Sequence, residues 1–192
     1  MKDYVKTLGF FTFLILVLNV SSAQLSSLSL RKNDILSGIE QVIRDYPNQF
    51  KNIIGELITE NPQSADYRCT VKIDNTEESF ITKYTATDKE IYSWQALVLT
   101  TENFEEAKRK FKSLFNELNN RLIDAAYLKG TYEAPAEEKK FTNVLFSFPT
   151  SDENFKKLKV ELVMEAALME WKVRLLIYDR ERADNEHGPA VE

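Results

Sequence analysis

The sequence predicts an α+β fold in two layers, with about six mainly antiparallel strands and two main helices on one face, in the order α-βββ-α-βββ. Three patterns lead there. Over residues 103–123, Phe104, Ala107, Phe111, Leu114, Phe115, Leu118 and Leu122 recur at helical spacing and form one wide apolar stripe. On both sides of that stripe, runs of alternating apolar and polar residues describe strands with one buried and one wet face. A second helical stripe, Ile35, Ile39, Val42, Ile43 and Tyr46, opens the folded region.

The first residues read as an expected export signal. Lys2 and Lys6 supply a positive start, an apolar run extends from Leu8 to Val20, and Ser21-Ser22-Ala23 places small residues before a cut at Gln24. The apolar run is shorter than the ~20 residues that span a bilayer, so no stable membrane anchor is expected after cleavage. The expected organisation is a signal peptide over 1–23, one α+β domain over 24–179 and a disordered tail over 180–192. The expected location is extracytoplasmic, either secreted or periplasmic. The tail is assigned from its polar composition, its lack of periodicity, and Gly188-Pro189.

Within the domain, the apolar residues Phe50, Ile53, Ile54, Leu57 and Ile58 continue the first helical stripe past Pro47. Proline is accepted only in a first helical turn, so two short helices or one kinked helix are expected over 33–59, ended by Asn61-Pro62. Tyr67, Cys69, Val71 and Ile73 then mark a first strand. Further strands follow over 79–85 and 91–100, the three making a meander. Thr101 and Asn103 both offer caps for the central helix, with Glu106, three residues beyond Asn103, as a reciprocal partner. After a polar loop over 125–140, strand character returns over 141–148, 155–165 and 170–178. The helix formers of 165–170 also allow a helical turn between the last two.

Composition excludes several functions. The net charge is −5, and −6 once Lys2, Lys6 and Asp3 are removed, which opposes nucleic-acid binding because that requires a basic footprint. Cys69 is the single cysteine, so no internal disulfide forms, and it is expected to be buried as a small apolar residue. The single histidine, His187, lies in the expected tail, which argues against catalytic triads and histidine-based zinc sites. Five scattered glycines provide no phosphate loop. No metal site and no cofactor are expected. The carboxylate pairs at Glu77-Glu78, Asp88 with Glu90, Glu137-Glu138 and Asp152-Glu153 fall in turns, where acids are ordinarily solvated.

What remains is aromatic. Tyr92 and Trp94 share one strand face, and Phe80 and Tyr84 lie on the neighbouring strand. Tyr127 and Tyr132 sit in the long loop. These six are the candidate ligand or partner surface, with core packing as the competing fate of the strand aromatics. The expected function is an exported, non-catalytic binding or protein-interaction domain for a protein partner or a small ligand. The alternatives are a hydrolase-like enzyme using carboxylates and tyrosines, or a structural envelope-associated protein.

Overall fold

A computed structural model describes residues 35–85, 90–123 and 126–179. The expected signal peptide and tail lie outside these residues. The described residues form an α+β architecture in which two helices pack against a mostly antiparallel sheet. Helix α1 spans Ile35–Asp45 and α2 spans Phe104–Leu118. The strands are β1 (Ile54–Asn61), β2 (Ser64–Cys69), β3 (Glu78–Tyr84), β4 (Ile91–Thr101), β5 (Leu122–Ile123), β6 (Ala126–Tyr127), β7 (Phe141–Phe146), β8 (Leu158–Ala167) and β9 (Glu170–Asp179).

Seven strands form the main sheet in the order β1-β2-β3-β4-β9-β8-β7, every neighbouring pair antiparallel. Two meanders, β1 to β4 and β7 to β9, therefore join edge to edge through β4 and β9. Helix α2 makes the connection between them. The small β5-β6 hairpin stands apart.

Strand register fixes one buried face. Ile81, Trp94, Ile177, Val160 and Phe146 lie in one cross-strand row, and each is 0% exposed. Alternation repeats this along each strand, so Trp171, Val173 and Leu175 on β9 and Leu158, Leu162 and Met164 on β8 join the same cluster. Into that cluster α1 sends Ile35, Ile39, Val42 and Ile43, and α2 sends Ala107, Phe111, Leu114, Phe115 and Leu118. The two stripes read from the sequence thus pack on one side of the sheet.

Two features hold the helices in place. At the start of α2 the Asn103 side chain accepts from the Glu106 backbone N–H at 3.0 Å. The Glu106 carboxylate accepts from the Thr101 hydroxyl at 2.6 Å, so both expected capping residues engage Glu106, Asn103 at its backbone N–H and Thr101 at its side chain. On α1, Gly38 lies so close to Ile73 that an added Cβ would sit 2.5 Å from Ile73 Cγ1.

Several boundaries differ from the sequence reading, and the expected first strand ends at Cys69, leaving Val71 and Ile73 outside it. The helical stripe does not continue to residue 59, because Ile54–Asn61 is edge strand β1 and a seventh member of the sheet. Pro47 sits in a 3-10 turn over Tyr46–Asn48, and Gln49 and Phe50 adopt left-handed φ of 56° and 57°, which ends helical propagation. Helix α2 stops at Leu118, and Asn120, at φ 63°, turns the chain into β5. Between β8 and β9 there is a tight hairpin tip at Leu168-Met169 rather than a helical turn.

Candidate functional site

At one end of the sheet, four separate segments converge on an open cleft of about 510 Å³. They are the turn after α1, the start of β4, the turn before β8 and the end of β9. Each is brought there by a local device.

Asp45 organises the first turn. Although only 7% exposed, its carboxylate is fully engaged, accepting from the Asn52 backbone N–H at 3.1 Å and from the side-chain amides of Asn48 at 3.0 Å and Asn52 at 2.6 Å. A buried carboxylate without such donors would be costly, so these bonds fix the turn that carries Tyr46, Pro47, Gln49 and Phe50 to the cleft wall. Asp152 acts similarly on the second turn. It caps the 3-10 segment Glu153–Phe155 by accepting from the Asn154 backbone and side-chain N–H groups, both at 2.9 Å.

Aromatic rings clamp the turns together. Phe148 meets Phe155 edge-on at 5.6 Å, Phe155 stacks on Tyr46 at 6.2 Å, and Tyr46 meets Phe50 edge-on at 6.1 Å. The Tyr46 hydroxyl then donates to Asp179 Oδ2 at 3.0 Å, which ties this ladder to the last residue of β9.

Across the cleft, the Tyr92 hydroxyl donates to Glu90 Oε2 at 3.2 Å, and Lys83 Nζ pairs with Glu90 Oε1 at 2.5 Å. The Lys83 ammonium holds the Glu90 carboxyl below the usual glutamate range, and Glu90 in turn raises Lys83. Burial pushes the Tyr92 phenol up, so it stays a protonated donor at neutral pH. Lys51 Nζ sits over the Tyr92 ring, 5.8 Å from its centre. Tyr46, Phe50 and Tyr92 thus border the cleft while remaining buried themselves, and its lining also includes the carboxylates of Glu90 and Asp179, two carboxamides (Gln49 and Asn154) and the Lys157 ammonium.

The six residues singled out by sequence do not form one surface. Register places Ile81, not Phe80, opposite Trp94, while Phe80 pairs with Gln95 and Tyr84 with Ile91 on the reverse face. Trp94 is core, and its indole N–H has no oxygen or nitrogen acceptor among the described residues. Beside it the Cys69 thiol is pushed up by burial, which the Val71 backbone and Trp94 partly oppose. Tyr132 packs its ring on Phe115 at 5.1 Å and Phe111 at 6.3 Å, closing the core over α2. Tyr127 is exposed on β6 and lines no part of the cleft. Of the six, only Tyr92 reaches it. Sequence reading missed Tyr46, Phe50, Asn154 and Asp179. The one local signal was the pair of turns, marked by Asp45-Tyr46-Pro47 and by Pro149 with Asp152.

Several of the paired carboxylates have ordinary partners. Glu77 accepts from the Thr100 backbone N–H at 2.6 Å and its hydroxyl at 2.8 Å, and Asp152 is a cap. Asp88 lies outside the described residues. Among the described residues no group of three or more His, Cys, Asp or Glu side chains is arranged to hold a metal ion, and no helix is long and apolar enough to cross a membrane. No protein-family model matches the chain, and no curated protein or solved structure gives a significant match.

Proposed function

We propose that the chain is an exported, non-catalytic binding domain that takes a small molecule in the cleft between Tyr46 and Tyr92. The observation that carries this reading is the cleft itself. Its volume of about 510 Å³ lies within the ~300–1,000 Å³ range of small-molecule sites. Its wall is fixed before any ligand arrives by the Asp45 network and the aromatic ladder. Such preorganisation lowers the entropic cost of binding.

The same geometry favours binding over catalysis. A general acid at neutral pH needs a carboxyl with a raised pKa, whereas the Lys83 ammonium lowers that of Glu90. The histidine that acyl transfer would use is confined to position 187. Export follows from the signal pattern of residues 1–23, with the domain's fold maintained without disulfides.

Asn154 is exposed and its backbone N–H keeps the Asp152 cap, so Asn154→Trp fills the cleft mouth without entering the core. The test is a thermal-shift screen of neutral, cationic and anionic small molecules against the wild-type chain and this variant. At about 100 times its Kd a true ligand stabilises the wild type by ~2.7 kcal/mol. The expected result is stabilisation of the wild type only. Equal shifts in both proteins, or none in either, would overturn the assignment of function to this cleft.

A further inference from the structure

We infer that strand β1, at one edge of the main sheet, receives an extended basic peptide that adds to the sheet as a further strand. The two edges of the sheet are built differently. Beside β7 the chain supplies its own neighbour. Lys129 and Ser147 exchange backbone hydrogen bonds at 3.0 and 2.8 Å, and Gly130 lies so close that an added Cβ would stand 2.7 Å from Val144 Cγ1. β1 has no such cover among the described residues, where it pairs with β2 alone.

Every residue from Glu56 to Asn61 is exposed, Leu57 and Ile58 by about half. Along the outer side of such a strand, backbone donors and acceptors recur in an order that another extended backbone matches. An open edge of this kind is a template for strand addition, in which main-chain bonds hold the partner and side chains select it.

Charge narrows the partner. Glu56 and Glu60 flank the Leu57-Ile58 pair, and among the described residues neither carboxylate forms an ion pair or a hydrogen bond, with Arg68 on β2 bonding to neither. Cross-strand pairing rewards opposite charges, so the segment that fits sets lysine or arginine on either side of apolar residues.

The same features oppose a second copy at this edge. Two copies joined through β1 would bring their carboxylates together at one contact, and like charges placed across strands destabilise the pair. Register shifts between Ile54 and Leu57 and between Leu57 and Thr59 also add local twist. A free peptide follows that twist, whereas the rigid edge of a folded copy resists it.

The test pans a display library of random peptides, each about a dozen residues and so long enough to span β1, against the full-length chain. Enriched sequences should interleave apolar residues with lysine or arginine, and the best of them should bind more weakly as salt rises. Glu56→Lys and Glu60→Lys together should weaken that peptide about tenfold or more, with far-UV circular dichroism confirming an unchanged fold. Hydrogen exchange should slow at the β1 amides when the peptide is bound. The inference is overturned if the library yields no binder, if the binders are acidic or indifferent to the double substitution, or if the β1 amides exchange equally fast in the complex. Protection of β1 amides that grows with protein concentration in the absence of peptide would overturn it in favour of a second copy.

Discussion

Replacing Phe111 by alanine tests whether the α2 stripe carries the fold. Phe111 is 0% exposed and sits in the middle of the helix, among Ala107, Leu114 and Phe115, over the centre of the sheet. Truncating a fully buried phenylalanine removes its transfer free energy and leaves a cavity, which together cost ~3–5 kcal/mol. Tyr132 lies over the ring at 6.3 Å on a segment outside the main sheet, so it can settle partly into the gap. That relaxation places the expected cost near the lower bound, about 3 kcal/mol. Phe104 on the same stripe is the internal control. It is half-buried at the helix start, against the Trp171 ring at 5.0 Å and under the Lys108 ammonium at 5.3 Å. Losing an aromatic pair and part of a burial term there should cost about 1–2 kcal/mol. Urea denaturation followed by far-UV circular dichroism measures both, and the slope with denaturant should not change if only stability is altered. A cost below about 1 kcal/mol for Phe111→Ala, or a cost for Phe104→Ala that equals it, would refute the packing scheme.

Three further outcomes are expected. Gly38→Ala should destabilise the protein by about 1 kcal/mol, although alanine favours a helix over glycine by a similar amount, because the new methyl meets Ile73 Cγ1 at 2.5 Å; stabilisation in the same urea assay would show that α1 can move off Ile73. The Lys83 and Glu90 pair lowers the carboxyl and raises the ammonium, so its contribution is fully present between the ordinary values of 4.5 and 10.5. It fades as pH falls through the lowered glutamate value or rises through the raised lysine value. Glu90→Gln should therefore flatten both limbs of the stability profile relative to wild type, and parallel profiles would show that the pair contributes nothing. The Cys69 thiol, buried and raised, should react with a disulfide reagent only as fast as the protein opens, with reactivity restored in denaturant; rapid labelling of the native protein would place the thiol at the surface.

Much of the sheet was legible because alternation is a direct consequence of strand geometry. Within 170–178 alternation places Trp171, Val173, Leu175 and Ile177 on one strand face, within 155–165 it places Leu158, Val160, Leu162 and Met164 on one face, and both sets line the buried cluster. The central helix was legible for the same reason, with its period of 3.6. Strand β1 was not. Phe50, Ile53, Ile54, Leu57 and Ile58 match a helical period as well as any short apolar run does, and the deciding facts are tertiary. Leu57 and Ile58 are about half exposed, 52% and 51%, so they never formed a stripe that a core had to cover. What selects the strand is pairing with β2, where Gly55 admits the Arg68 carbonyl so closely that an added Cβ would stand 2.8 Å from it.

The cleft was hidden for a different reason. Its residues come from positions 46–50, 90–92, 154–157 and 179, and what unites them is strand order. Because β9 inserts beside β4, Asp179 lies near the start of β4, and because β8 pairs with β9, the turn carrying Asn154 arrives at the same end. None of these adjacencies leaves a periodic or spaced motif in the sequence. Tyr92 was singled out from its strand pattern, but the same pattern drew in Trp94, whose alternation parity is identical and which lies wholly in the core. Two aromatic residues on one strand face thus diverge by position along the strand. Trp94 is 0% exposed, whereas Tyr92, two residues nearer the sheet end where α1 has already turned at Asp45, is 8% exposed and borders the cleft with Lys51 over its ring. The cleft is a consequence of where α1 stops, and Asp45, through its bonds to Asn48 and Asn52, sets that end.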